Sequence, residues 1–319
     1  MPLQNPQRNS PSMKPRLSII LPIFNESKNL EPTLREVTSV LEGLQNPYEI
    51  IVVDDGSNDG SWGKIEKLTQ TYQGIKAIRF TRNFGKEAAI LAGLQSSSGD
   101  AAIIMDADLQ HPPALIREMV KIWEDEGVDV VHAVKSEREN EPLMRRFFTK
   151  CFYKAMKRFS GLELEGTTDF KLLDRTVVDQ YVRLPERIRF FRGIITWLGH
   201  RHAHVSFKPG IRRKGKSRWS ILSLFRLGFR ALFAFSALPL QIITVLGIIT
   251  FLASILLGIE TVIKKFTGGA AEGFPTVIIL LLFIGSTLMI SLGLIGQYIA
   301  MIYDEVKQRP PFVIEKTIE

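Results

Sequence analysis

One cysteine, Cys151, is all that 319 residues provide, so neither an intramolecular disulfide framework nor a cysteine-rich zinc site can be built. Acidic residues are missing from Lys208 to Arg230, a stretch with eight basic side chains: Lys208, Arg212, Arg213, Lys214, Lys216, Arg218, Arg226 and Arg230. Charge is absent altogether from Phe274 to Tyr303, and Ala231 to Ile263 carries only Glu260. Nucleotide fingerprints are missing too. No Gly-x-Gly-x-x-Gly follows the first candidate strand, which leaves a dinucleotide fold unsupported. Gly56 and Gly63-Lys64 are separated by six residues and followed by Ile65 instead of Ser or Thr, which excludes a P-loop. No internal repeat of fixed period is present. The first dozen residues lack the apolar core of a signal peptide, and 1–14 read as a disordered tail.

The residues that are present complete the outline. A hydrophobic content of 45% supplies ample core and excludes a disordered or fibrous chain. The net charge of +8 equals the basic block; the other 33 basic residues balance the 33 acids. Behind the block stand two apolar stretches, each longer than the roughly 20 residues that cross a ~30 Å hydrocarbon core. They predict a transmembrane hairpin with spans at 232–263 and 274–303 and a non-cytoplasmic linker at 264–273. Lys264 and Lys265 are the linker's cations, against the eight before it and Lys307, Arg309 and Lys316 after it. The positive-inside rule then puts the N-terminal domain and a tail at 304–319 in the cytoplasm, with both spans in the cell (inner) membrane. Trp219, Ile221, Leu222, Leu224, Phe225, Leu227 and Phe229 alternate with Arg218, Arg226 and Arg230, so 212–231 reads as a basic loop and juxtamembrane interfacial helix. Basic residues there would meet anionic lipid headgroups at about 1 kcal/mol each. Nucleic acid is excluded as a partner, because the block abuts a span. Gly247, Gly258, Gly285, Gly293 and Gly296 would permit close helix packing, including a homo-oligomer through the spans.

Residues 15–211 alternate β-branched runs with helical patterns. Candidate strands are Leu17–Phe24, Glu49–Asp54, Ile75–Phe80, Ala101–Asp106 and Asp129–Val134, with helices at Leu30–Leu44, Trp62–Tyr72, Lys86–Gln95 and Pro113–Glu126. Continuous apolar runs such as Ile50-Ile51-Val52-Val53 signal strands buried on both faces. The order predicts a doubly wound α/β domain with a mostly parallel, Rossmann-like sheet, whose ligands bind at the carboxyl ends of the strands.

Acids gather at three of those ends: Asn25-Glu26, Asp54-Asp55 and Asp106-Ala107-Asp108. Such a cluster is costly unless a cation or donor-rich ligand neutralises it. Alternate residues of an extended segment share a side, so Asp106, Asp108 and the amide oxygen of Gln110 form a hard-oxygen set suited to Mg²⁺ or Mn²⁺; His111 is an optional further ligand. Lys86, in Asn83-Phe-Gly-Lys86, either meets a phosphate or simply opens a helix. Cys151, His132, His200, His202 and His204 receive no role.

Pro22-Ile-Phe-Asn-Glu26, Asp54-Asp-Gly-Ser57, Asn83-Phe-Gly-Lys-Glu87 and Asp106-Ala-Asp-Leu-Gln110 together resemble family 2 glycosyltransferases of the GT-A fold, in the subgroup of dolichol-phosphate mannose synthase. With the two C-terminal spans, the pattern is similar to the bacterial, especially cyanobacterial-type, polyisoprenyl-phosphate (bactoprenol) glucosyltransferases. The resemblance implies inverting transfer of a hexose, with UDP-glucose favoured, to a polyisoprenyl phosphate by a metal-dependent hexosyltransferase. It puts Pro22, Asn25, Glu26, Asp54, Asp55, Lys86 and Asp106 at the nucleotide sugar, and Asp169 facing the sugar as a base or an orienting group. A helix N-cap after Thr168 is the structural alternative for Asp169. Arg138 matches a family Arg that faces the donor phosphates. Arg145 and Thr149 match an acceptor-phosphate pair loosely, Thr replacing Ser, with Arg146 as another register. Lys214, Lys216 and Arg218 occupy the family's basic loop beside donor or acceptor phosphate. Mannosyl or aminopentosyl transfer, a processive polysaccharide synthase and a non-catalytic membrane scaffold are the alternatives. Lys216-Ser-Arg-Trp219 keeps only the Arg-Trp of the processive enzymes' Gln-x-x-Arg-Trp.

Overall fold

The computed structural model describes residues 17–72, 74–135, 154, 157, 158, 161, 166–187, 189–207, 238–267 and 273–319. The chain divides into two compact units: 1–150 with 162–218 and 310–319, and 151–161 with 219–309.

The first unit is built on an eight-stranded sheet. Its strands are β1 (Leu17–Ile23), β2 (Tyr48–Asp54), β3 (Ile75–Phe80), β4 (Ala101–Ile104), β5 (Val130–Lys135), β6 (Thr167–Asp174), β7 (His202–Phe207) and β8 (Ile314–Ile318), in the spatial order β7-β5-β6-β4-β1-β2-β3-β8. β4, β1, β2 and β3 run parallel, β6 is antiparallel to both β4 and β5, and β8 is antiparallel to β3. Helices α1 (Leu30–Glu42), α2 (Ser61–Thr71), α3 (Lys86–Ser96), α4 (Leu115–Glu126), α5 (Arg175–Arg183) and α6 (Phe191–Trp197) complete this unit.

Sequence period explains the layering. Successive strand residues point to opposite faces. Ile19, Leu21, Ile50 and Val52 therefore join α1, α2 and α4 in one core, whereas Ile51, Val53, Ile78 and Phe80 meet Ala88, Ala89 and Ala92 of α3 on the other face. On α4 the buried Ile116, Met119, Val120 and Trp123 recur at helical spacing. Small residues bring α3 close to the sheet: a Cβ on Gly93 would lie 2.4 Å from Ile20 Cγ2. Asp174 caps α5 through the Thr176 amide at 3.0 Å, and its other oxygen accepts the Trp123 indole at 3.0 Å.

The parallel α/β core is as expected, with three differences. β4 ends at Ile104, so Asp106 lies on the following loop, although Met105 still donates to the Ile20 carbonyl at 3.1 Å. Asp169 lies within strand β6, which rules out the helix-cap alternative. Residues 314–318 of the expected tail return to the sheet as β8.

The second unit contains α7 (Leu238–Phe266) and α8 (Phe274–Val306). Both are long and apolar enough to cross a membrane, with mean hydropathy of 2.2 over Ile243–Glu260 and 1.9 over Leu280–Val306. Large side chains such as Phe251, Leu256, Leu281 and Met289 are exposed, which suits contact with lipid. Among the described residues, a Cβ built on Gly247, Gly258, Gly285, Gly293 or Gly296 would meet nothing within 4 Å. Arg138, Arg145, Arg146, Thr149, Lys214, Lys216 and Arg218 lie outside the described residues, as does the interfacial helix.

Candidate functional site

The strand order reverses between β1 and β4: β2 and β3 are added on one side of β1, β4 on the other. Ligands of open α/β sheets sit at this switch point, outside the carboxyl ends of the strands. The Asn25-Glu26 loop follows β1 there, and the Asp106–Gln110 loop follows β4.

Three loops are fastened across the rim. Asn25, at φ 55°, donates its amide to Ser57 Oγ at 2.8 Å and accepts the Asn58 amide on Oδ1 at 2.9 Å. The Asp54 carboxylate accepts the Ser57 amide at 3.0 Å. Asp55 accepts the amides of Phe84 and Gly85 on its two oxygens, at 2.6 and 2.9 Å, which fixes the entry to α3 just before Lys86. Burial pushes the Asp55 carboxyl up to about 6, against these two amides. Burial also raises Asp54. Gly56 permits the close approach of β2 and β3 loops: a Cβ there would lie 2.5 Å from the Arg82 carbonyl carbon. Pro22 is buried in β1, and Glu26 accepts the Asn29 amide nitrogen at 2.6 Å.

On the D-x-D loop, Asp108 Oδ1 accepts the Gln110 amide at 3.1 Å, with Leu109 between them in the left-handed region at φ 59°. Thr33 of α1 donates to the Ala107 carbonyl at 2.9 Å and holds the loop from below. Antiparallel pairing of β4 with β6 sets Ile104 opposite Lys171, which brings Asp169 level with Asp106. Between the two carboxylates stands Lys86, its Nζ 2.5 Å from Asp106 Oδ1 and 2.6 Å from Asp169 Oδ2. Arg192 of α6 reaches the other Asp169 oxygen with Nε at 2.5 Å and donates to the Thr167 carbonyl at 3.2 Å.

The electrostatics follow. Burial would raise the Asp169 carboxyl, but Arg192 and Lys86 outweigh it and hold Asp169 well below the usual carboxylate range. Burial would likewise lower Lys86, yet Asp106 and Asp169 raise it and keep it charged. Behind them, burial and the Asp169 charge push Glu87 up to about 7, while it accepts the Phe191 amide at 2.9 Å. Lys171, two residues along β6, is fully buried, and its Nζ lies 2.5 Å from His132 Nδ1. Burial and then the Arg192 charge lower it to about 7.

The sequence-read Lys86, Asp106 and Asp169 thus converge. Arg192 escaped sequence reasoning, and Glu87 entered it only as the end of the Asn83–Glu87 motif, without a role; Arg192 carried a signal, being the one charged side chain in Phe191–Trp197, where Phe191, Gly193, Ile194 and Ile195 are all buried. Among the described residues, no three His, Cys, Asp or Glu side chains form a ready-made metal cage. The oxygens of Asp106 and Asp108 instead suit an ion completed by substrate phosphate, as Mg²⁺ and Mn²⁺ prefer. Buried His111 fits beside them: its Nδ1, without a hydrogen-bond partner among the described residues, lies 3.9 Å from Asp106 Oδ2.

A rim of fastened acidic loops with two cations on one carboxylate is suited to an anionic, hydroxyl-rich ligand. The glycosyl transferase family 2 model matches residues 18–182. An uncharacterised glycosyltransferase of Synechocystis is 39% identical over 93% of this chain and 94% of its own. The putative glycosyltransferase CsbB of Bacillus subtilis is 38% identical over 94% and 91%. The bactoprenol glucosyl transferase of Shigella phage SfII is 34% identical over 95% and 98%. A solved mannosyltransferase from Pyrobaculum calidifontis aligns over 91% of both chains at 16% identity with a TM-score of 0.44, too distant to bear on this site. Matched over half its length by the family model and over nearly all of it by these relatives, the chain belongs to glycosyl transferase family 2.

Proposed function

We propose that this glycosyltransferase moves a hexose, glucose from UDP-glucose, onto the phosphate of a polyisoprenyl phosphate, with inversion, at the cytoplasmic face of the cell membrane. The observation that carries the reading is the convergence of Asp106, Lys86, Asp169 and Arg192 at the switch point, in a chain that also has two membrane-length apolar helices. The bactoprenol glucosyl transferases of Shigella phages, aligned over most of both chains, support the donor sugar and the lipid.

In this reading the rim of Pro22, Asn25, Glu26, Asp54 and Asp55 receives the nucleoside, its carboxylates and amides accepting from base N–H and ribose hydroxyl groups. Asp106 and Asp108, with Gln110, would hold Mg²⁺ or Mn²⁺, and such an ion would supply charge stabilisation to a leaving nucleoside diphosphate. A phosphate-monoester acceptor has a second pKa near ~6 and is largely dianionic at neutral pH, so it needs little general-base help. Asp169, kept ionised by its two cations, orients the sugar instead of collecting a proton. Arg138, Arg145, Arg146, Thr149, Lys214, Lys216 and Arg218 bring the two anions together, and the other cations of the basic block rest on anionic headgroups.

β7 and β8 belong to one sheet, and α7 and α8 lie between them in sequence. If both helices cross a membrane, the chain comes back to the side it left, which supports two spans with domain and tail on one side; the flanking cations favour the cytoplasm as that side. Transfer of labelled glucose from UDP-glucose into a chloroform-soluble product tests the reading. It should vanish with chelator and return with Mg²⁺ or Mn²⁺. A panel of nucleotide sugars with one lipid acceptor fixes the donor, and a polymeric product or no product at all would overturn the assignment.

A further inference from the structure

We infer that strand β8, the segment following the second apolar helix, is a working part of the donor site: Glu315 and Arg79 act as positioning residues for the nucleotide-recognition loops. This rests on the reading of the β1 and β2 loops as the nucleoside pocket.

The pairing itself is extensive. Ala77, Ile78, Arg79 and Phe80 of β3 face Ile318, Thr317, Lys316 and Ile314, the register shifting between Arg79 and Phe80. Thr81 donates its amide to the Val313 carbonyl at 3.0 Å. Phe312 stacks on Phe80 at 4.9 Å with the rings 12° apart. The edge of β3, a liability if left open, is thereby covered.

At this edge begins an unbroken polar line. Glu315 Oε2 lies 3.3 Å from Arg79 Nε, and the same nitrogen lies 3.7 Å from Asp54 Oδ2. The Arg79 guanidinium sits over the Trp62 ring at 5.8 Å. Asp54, directly across the ladder from Arg79, is fully buried, and its Oδ2 has no hydrogen-bond donor among the described residues. A buried carboxylate oxygen in that state depends on a cation fixed nearby. Its partner oxygen holds the Ser57 amide, Ser57 Oγ holds the Asn25 amide, and Asn25 Oδ1 holds the Asn58 amide. The line thus crosses β8, β3, β2 and β1 and ends on the rim, each member setting the next. Without Glu315, Arg79 is free to leave its place between the two acids; without Arg79, Asp54 loses the counter-charge it has among the described residues, and the turn it pins loosens.

The test uses the full-length protein with Arg79→Gln, Arg79→Lys and the milder, partly exposed Glu315→Gln. Arg79→Gln should raise the donor KM about tenfold, the order of one hydrogen bond to a charged group. Glu315→Gln should raise it about threefold, and Arg79→Lys should recover most of the loss. The acceptor KM and kcat should stay within about twofold. Hydrogen exchange supplies a readout independent of turnover: the Ser57 and Asn25 amides should lose protection in both Gln variants. Unchanged donor KM and unchanged exchange would overturn the inference, as would equal losses in kcat and both KM values with a lowered Tm. If the wild-type protein transfers no sugar, the functional reading fails, while exchange at Ser57 and Asn25 still decides whether β8 sets the loops.

Discussion

Lys86 reaches Asp169 across 83 residues of sequence, Nζ to Oδ2 at 2.6 Å, and in the same position touches Asp106 at 2.5 Å. One ammonium therefore ties the D-x-D loop to strand β6 and offsets two carboxylates that would otherwise repel. Lys86→Met should cut transfer about 100-fold, discounted from a fully buried pair because the lysine is partly exposed. It should also tighten Mn²⁺ binding in the absence of donor, followed by electron paramagnetic resonance, since the ion no longer competes with the ammonium for Asp106. Unchanged Mn²⁺ binding would show that the two cations do not share that carboxylate.

Asp169 is clamped from both sides and stays ionised through the neutral range. Asp169→Asn should lower kcat about 10- to 100-fold, as loss of an orienting group does. The pH–rate profile should keep its shape between about pH 6 and 9. A general base would reveal itself by the disappearance of an acidic limb.

Lys171 should work against stability near neutral pH. Its folded pKa, about 7, lies below its unfolded value of 10.5, so the unfolded chain binds the extra proton between these limits. Stability contributed at this position therefore rises as pH climbs from about 7 to 10.5 and is lowest below 7. Lys171→Met should raise Tm at pH 7 and flatten the rise seen between pH 7 and 9. An unchanged Tm at both values would refute the assignment.

Glu49 has the opposite sign. It accepts the Ser18 hydroxyl and the Ser98 amide and hydroxyl, all at 2.7 Å, and sits 3.1 Å from Lys76. Burial would raise it, but the serine donors prevail and hold it at about 2, below 4.5. Its contribution is present above about 4.5 and is lost as pH falls toward 2. Glu49→Gln should cost about 1–3 kcal/mol at pH 7, with the difference from wild type closing in acid. Denaturant unfolding at pH 7 and 3 checks this.

The parts of the site on β1, β2 and β4 were legible because apolar runs such as Ile50–Val53 stop abruptly at acids. A doubly wound sheet brings those ends to one rim. β6 was hidden, since Thr167-Thr168-Asp169-Phe170-Lys171 has one apolar residue in five and no alternation to mark a strand, whereas the structure buries Lys171 against His132. No local pattern announces a lysine buried by an imidazole partner. β8 was hidden for another reason: Ile314-Glu-Lys-Thr-Ile318 is short and polar, and its partner β3 stands at the far end of the chain. Arg192 could be read as charged but not as placed, because its target lies on a strand that the sequence did not declare.

The antiparallel return of β8 also orders events in biosynthesis. β3 is made early and its edge stays open while more than two hundred further residues emerge. Only after both apolar helices have been synthesised can that edge be closed. If the helices cross a membrane, a chain in which only one of them did so would carry β8 to the opposite side and leave Phe80 and the β3 backbone uncovered. Completion of the sheet therefore depends on both helices ending with β8 on the side where β3 was made.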